Sequence, residues 1–248
     1  MVRALLIRGM LAGSLAGLLA FGCAWVFGEP QVDLAIGFEQ HMHAAAGNAP
    51  EPELVSRAVQ STAGLLTGIL AYGCALGGIL SLVFAYAYGR IGHLSPRATA
   101  AMVAALGFAT LIFVPQIKYP ANPPSVGEPD TIAVRTELYF MMIGLSVIAA
   151  VAATSTARQL ARSRVGGWNS TIIGGATYLF VVAVAMFILP PVNEVPADFS
   201  ATTLWNFRLA SLGIEAVLWT AFGLIFGVIA ERQLSPTSSP PALPTRQG

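Results

Sequence analysis

The chain has 248 residues, of which 55% are hydrophobic and 10% are charged. Soluble domains carry roughly 25% charged residues to cover their surface, so this composition excludes an ordinary soluble protein and indicates the lipid bilayer as the main solvent. The net charge of +1 provides no basic field for nucleic acid and no acidic field for a cationic partner. Cys23 and Cys74 lie in apolar runs, which favours packed thiols over a redox or zinc site.

An apolar stretch near the N-terminus is the first predicted membrane span. Arg3 and Arg8 precede it, as basic residues precede the core of a secretory signal. The run from Gly9 to Phe27 is longer than a typical signal core, however, and it closes on bulky residues where cleavage needs small ones. We therefore interpret this stretch as a retained helix.

Five further apolar stretches are long enough to cross a bilayer core of about 30 Å, which takes roughly 20 helical residues. Because backbone groups inside lipid must be satisfied within the element itself, we predict an all-α integral membrane protein, a bundle of six transmembrane helices. The predicted transmembrane domain covers residues 1–234, with spans at about 9–28, 62–87, 98–116, 136–157, 168–190 and 205–230. Residues 235–248 are rich in Pro and Ser and are predicted to form a disordered cytoplasmic tail.

The basic residues predict the orientation, because Lys and Arg resist translocation. With six spans and the N-terminus inside, only four of the 13 Lys and Arg residues fall on the outer side: Arg57, Lys118, Arg135 and Arg208. Among the 12 acidic residues, Glu231 alone falls inside. This distribution predicts that both ends of the chain lie in the cytoplasm (N-in/C-in).

A recurring pattern suggests three repeated hairpins. Each predicted hairpin leaves the membrane at a Phe followed closely by Pro and returns with an Arg at its outer end. Three parallel repeats around an axis along the membrane normal are one interpretation. The other is that Phe, Pro and Arg recur at the interfacial ends of any membrane helix.

The first outer connection, from Glu29 to about Arg57, holds a candidate metal site. Glu39, His41 and His43 form a Glu-x-His-x-His pattern, and imidazole and carboxylate groups are common ligands of divalent first-row metals. The three side chains share one side only if the backbone is extended. The alternative is a solvated acidic loop with two incidental histidines. No resident cofactor is predicted, since a metal bound here would be the transported substrate.

Glu215 lies near the middle of the last predicted span. A carboxylate in the bilayer centre costs roughly 2.5–3.5 kcal/mol on insertion scales, so such a residue is a candidate functional group, here a metal ligand. The alternative is a protonated Glu215 that forms a hydrogen bond with a neighbouring helix. The spans lack the several polar groups that an intramembrane enzyme needs, and the sequence has no nucleotide-binding loop. We therefore expect that the protein is not an enzyme.

Glycines at a spacing of four recur in several spans. We interpret them as packing positions, since small residues allow close approach of helix backbones in lipid. They are Gly9, Gly13 and Gly17 in the first span, Gly64/Gly68 and Gly73/Gly77 in the second, and Gly223/Gly227 in the last.

The order of these motifs resembles the proposed cobalt transporter subunit CbtA family. The resemblance covers about residues 1–234 and rests on four segments. They are Met1 to Asp33 (MVRALLIRGMLAGSLAGLLAFGCAWVFGEPQVD), EPELVSR from Glu51 to Arg57, KYPANPP from Lys118 to Pro124, and PADFSATTLWNFRLASLGIEAVLW from Pro196 to Trp219, which is followed by a helix that ends in AER at Arg232.

The resemblance implies a multi-pass protein of the bacterial inner membrane that imports cobalt for corrinoid synthesis. It also implies a partner, a small one-span subunit (CbtB) with a histidine-rich metal-binding terminus. The first outer connection here has only two histidines, which favours a site that shares ligands with that partner. Two other functions stay open, a non-transporting scaffold for a partner subunit and a permease for another small solute; assembly as a homo-oligomer is open too.

Overall fold

The computed structural model describes residues 2–47, 54–90, 93–163 and 166–234, and within these ranges every regular element is helical. Six helices are long and apolar enough to span a membrane, which confirms that prediction. The N-in/C-in orientation and the repeat stay predictions, and the predicted disordered tail lies outside the described residues. The helices are α1 (Val2–Ala45), α2 (Arg57–Ala87), α3 (Pro96–Lys118), α4 (Pro129–Ala161), α5 (Gly167–Ile188) and α6 (Ala201–Leu234).

Helix α1 extends well beyond the predicted first span. The chain passes through a π-helical turn at Ala24–Gly28 and continues as α-helix over Glu29–Ala45. Pro30 lies at the start of this extension, directly after the turn, where the change in hydrogen-bond register accommodates its missing N–H. The prediction of a loop from Glu29 onward is therefore wrong for residues up to Ala45.

Helices α1 and α2 pack through glycines. A Cβ atom added at Gly13 would lie 2.0 Å from the Gly73 carbonyl oxygen, and one added at Gly77 would lie 2.2 Å from the Gly9 oxygen. No side chain fits between backbones that approach so closely. The prediction of glycine-mediated packing is confirmed for these positions. At Gly68, in contrast, an added Cβ would contact nothing within 4 Å.

Helix α6 lies at the centre of the fold, packed against α1 on one side and α3 on the other. Its aromatic residues fill the core: Trp219, Phe222 and Phe226 are at most 2% exposed. Phe226 meets Phe84 of α2 edge to face, with ring centroids 5.2 Å apart. Gly223 faces Ala104 of α3 so closely that an added Cβ would lie 2.9 Å from the alanine methyl carbon.

Helices α4 and α5 form a second layer of packing beside α3. Met142 and Ala149 of α4 are fully buried against α5, and the hydroxyl groups of Ser146 and Tyr178 are 2.9 Å apart. The helices thus follow the spatial order α2, α1, α6, α3, α4, α5. This order brings α6 into contact with helices from both other predicted hairpins.

We use the term long-loop end for the end of the bundle that holds the α1–α2, α3–α4 and α5–α6 connections, which the sequence predicts to face outside. There the α1 extension covers the connections: Ala35 is fully buried beside Val126 and Phe199. Arg57, at the start of α2, forms ion pairs with Glu29 and Asp33 of this extension. The extension is thereby fixed over the bundle rather than free in solvent.

Candidate metal-transport sites

Glu215 lies on α6 within the helical bundle, partly buried. The Trp219 indole N–H donates a hydrogen bond of 3.1 Å to its Oε2 atom. The two residues are four apart, so they lie one turn from each other on the same helix face. Trp219 is only 2% exposed, which fixes this donor and holds the carboxyl group in one direction.

Two tyrosines from other helices interact with the same carboxyl group. Tyr72 of α2 lies within interaction distance of Glu215, whereas Tyr139 of α4 interacts with it only electrostatically and at longer range. The carboxyl group therefore has polar neighbours from α6 and α2, and only a longer-range electrostatic interaction with α4. No sequence pattern indicated the tyrosines, but the four-residue spacing of Glu215 and Trp219 was a signal for the indole contact.

Gly107 of α3 provides the space in which the Trp219 ring lies. A Cβ atom at Gly107 would come within 2.3 Å of the Trp219 Cζ3 atom. This contact orients the indole toward Glu215, because the ring cannot move deeper between α6 and α3. Gly107 thus acts on the carboxyl group through Trp219.

The helical α1 extension changes the geometry of Glu39, His41 and His43. On a helix, residues four apart share a face, whereas residues two apart point about 200° from each other. Glu39 and His43 therefore lie on one face, and His41 lies on another. The extended arrangement that would unite all three is not formed, and among the described residues no three His, Cys, Asp or Glu side chains are grouped for metal binding.

The Glu39 carboxylate is held near the α3–α4 connection. The Ser125 hydroxyl lies 3.3 Å from Glu39 Oε2 and 3.2 Å from the Ala35 carbonyl oxygen. Since Glu29 and Asp33 are engaged by Arg57, Glu39 is the acidic residue of this extension that forms no ion pair within the described structure. Glu51 and Glu53 lie outside the described residues.

A cavity of about 350 Å³ opens at the long-loop end. Arg135, Arg208 and Tyr139 are among the residues that line it. Arg135 lies 3.4 Å from Glu194 in the α5–α6 connection. The Glu128 backbone N–H, the Thr131 hydroxyl and the Arg135 guanidinium hold the pKa of Glu194 below its usual value.

Residues 2–231 match the family described as "Probable cobalt transporter subunit (CbtA)". The chain belongs to this family. No curated protein and no solved structure matches it. Membership in CbtA, together with six helices suited to a membrane, identifies a multi-pass membrane protein of a transporter-subunit family, and it implies partner subunits.

Proposed function

We propose that the protein is the membrane-embedded subunit of a divalent-metal uptake system in the bacterial inner membrane, with Co²⁺ for corrinoid synthesis as its substrate. The observation that carries the proposal is Glu215, a partly buried carboxyl group on an apolar helix, with polar neighbours from α6 and α2. A carboxylate is costly in such surroundings. A passing cation offsets that cost, so metal transport explains why the group is there.

The first contact with the metal takes place at the α1 extension. Glu39 and His43 supply one oxygen and one nitrogen ligand from adjacent turns, a combination that suits divalent first-row metals. Two ligands leave the coordination shell of the metal incomplete. We infer that a partner of the CbtB type, with a histidine-rich terminus, completes it, and that His41 on the opposite face of the helix takes part in the transfer.

Uptake of radiolabelled Co²⁺ by cells without other importers tests this function. Cells that express the chain with its partner should accumulate cobalt, and cells that express either protein alone should accumulate less. Competition by unlabelled Ni²⁺ and Zn²⁺ measures the selectivity. If the complete pair takes up no divalent metal, the proposed function is wrong.

A non-transporting scaffold is the second candidate function. It is favoured by the close glycine packing between α1 and α2, which makes a rigid frame without any need for Glu215. For a scaffold, Glu215→Gln leaves metal uptake intact while disruption of the α1–α2 packing abolishes it. Transport by this chain itself requires that both changes reduce uptake.

A further inference from the structure

The cavity at the long-loop end is lined by cationic and neutral polar groups as well as apolar ones. Besides Arg135 and Arg208, its polar walls include Asn122 and Thr136. Its volume of about 350 Å³ falls in the range of small-molecule sites, roughly 300–1,000 Å³. A bare divalent cation would be repelled by the two guanidinium groups. The lining therefore favours a ligand of the opposite charge.

Arg208 forms hydrogen bonds with neutral acceptors. Its Nε donates to the Ala121 carbonyl oxygen at 3.3 Å, and its Nη2 donates to the Asn122 side-chain oxygen at 2.9 Å. Within the described residues it forms no ion pair. A guanidinium has five N–H donors, so Arg208 keeps both its charge and further donors for a ligand.

Only some of the hydrogen-bond donors of Arg135 have an acceptor. Its Nη2 donates to the Glu128 carbonyl oxygen at 3.2 Å, while its buried Nε has no hydrogen-bond acceptor among the described residues. Glu194 lies 3.4 Å from that Nε, but its Oε2 already accepts hydrogen bonds of 2.8 Å from the Glu128 backbone and from Thr131. Among the described residues, the cavity lining thus includes two guanidinium groups and no carboxylate, and the carboxylate that pairs with Arg135 is itself largely engaged.

We propose that this cavity binds a small oxyanion, a carboxylate or phosphate group, between Arg135 and Arg208. Guanidinium groups match the paired oxygens of such anions with parallel hydrogen bonds. The site goes beyond the proposed metal transport, since it concerns a different ligand and different residues. The oxyanion comes either from a soluble carboxylate or phosphate or from a phospholipid headgroup.

Binding to the purified full-length chain tests the proposal. Calorimetry in an uncharged maltoside detergent, at constant chloride concentration, measures the binding of citrate and of inorganic phosphate. Native mass spectrometry of the same preparation detects retained phosphatidylglycerol. Arg208→Gln and Arg135→Gln should each weaken binding about tenfold or more, because each removes a charge-assisted hydrogen-bonding group.

Two further variants keep the result interpretable. Arg208→Lys retains the charge but loses the paired donors, so it should fold and bind less tightly than the unchanged chain. Arg90→Gln is the matched control, because Arg90 is exposed at the opposite end of the bundle and donates to the Tyr86 carbonyl oxygen; it should bind normally. Elution from a sizing column confirms that each variant is folded.

The outcomes separate the sources and decide the proposal. Binding of citrate or phosphate that Arg208→Gln loses supports a soluble anion. Retained phosphatidylglycerol that Arg208→Gln loses supports a lipid headgroup. The proposal is overturned if the unchanged chain binds neither probe and retains no anionic lipid, or if Arg208→Gln and Arg135→Gln bind as the unchanged chain does. None of these results depends on metal uptake.

Discussion

Trp219 donates its indole N–H to Glu215 from one turn further along α6, at 3.1 Å. The same ring closes the contact between α6 and α3 at Gly107. The Trp219 side chain thus takes part in the helix packing and also orients the Glu215 carboxyl group. Substitutions that shift this ring should affect both.

Gly107→Ala should lower stability and reduce metal uptake. The added methyl carbon would lie 2.3 Å from the Trp219 ring, so the ring must move and its hydrogen bond to Glu215 must lengthen. Overpacking of this kind costs about 1–3 kcal/mol. Thermal unfolding in detergent and Co²⁺ uptake measure the two effects. Gly144→Ala on α4 is the control, since an added Cβ there contacts nothing within 4 Å; an equal effect of both changes would contradict the proposed role of Gly107.

Gly13→Ala should destabilise the α1–α2 pair. Its Cβ would lie 2.0 Å from the Gly73 carbonyl oxygen, and backbone cannot move aside as a side chain can, so the helices must separate. We expect the free energy of unfolding to fall by about 1–3 kcal/mol or more, which lowers the unfolding temperature. Gly22→Ala on the same helix meets nothing within 4 Å and should leave that temperature nearly unchanged. Similar unfolding temperatures for the two variants would show that α1 and α2 are not in close backbone contact.

Because the α1 extension is helical, we predict that its two histidines contribute unequally to Co²⁺ binding. His43→Ala should weaken Co²⁺ binding more than His41→Ala does, because only His43 shares a helix face with Glu39. Glu39→Gln should resemble His43→Ala. Calorimetric titration of Co²⁺ into the purified chain with its partner measures the three affinities. Equal losses from His41→Ala and His43→Ala would indicate that the segment binds metal in an extended conformation instead.

The lowered pKa of Glu194 predicts that the stability of the α5–α6 connection depends on pH. The Glu128 N–H, the Thr131 hydroxyl and Arg135 lower its pKa from the ordinary value of 4.5 in the folded state, so the unfolded state binds the proton more tightly. The ionised Glu194 side chain stabilises the folded state fully at pH values above its ordinary pKa. This stabilisation is lost as the pH falls through the lowered pKa of the folded state.

Hydrogen exchange in residues 189–200, followed from about pH 7 down to about pH 3, measures this loss. Protection should decline only in the acidic part of that range. Glu194→Gln, which cannot titrate, should show weaker protection at neutral pH and no such acidic step. An identical acidic step in that variant would show that another group is responsible.

Hydropathy identified the six helices because each carries an apolar stretch of bilayer length, and glycine spacing indicated packing positions on α1 and α2, but not that these two helices pack against each other. The helical α1 extension was not predicted from the sequence, for a physical reason. Its residues are polar, and Pro30 normally ends a helix, whereas the π turn at Ala24–Gly28 lets the helix continue past it. Local sequence patterns do not reveal such a turn.

The candidate site could be predicted only in part. Glu215 stood out because carboxyl groups are rare in apolar spans. Tyr72 and Tyr139 did not, because aromatic residues in membrane helices are common as packing and interfacial groups, and their approach to Glu215 depends on how α2 and α4 lie around α6. For the same reason the meeting of Arg135 and Arg208 in one cavity, from residues 73 positions apart, required the three-dimensional fold.

Metal uptake by Glu215→Gln tests the central claim most directly. Glutamine keeps the size of the side chain and can accept a hydrogen bond from Trp219, but it removes the negative charge that a passing cation needs. Glu137→Gln on α4 is the matched control, since Glu137 is exposed and forms no ion pair among the described residues. In cells that express the partner, Co²⁺ uptake should fall about tenfold or more in Glu215→Gln and stay normal in Glu137→Gln. Normal uptake by a stably folded Glu215→Gln protein would contradict the account.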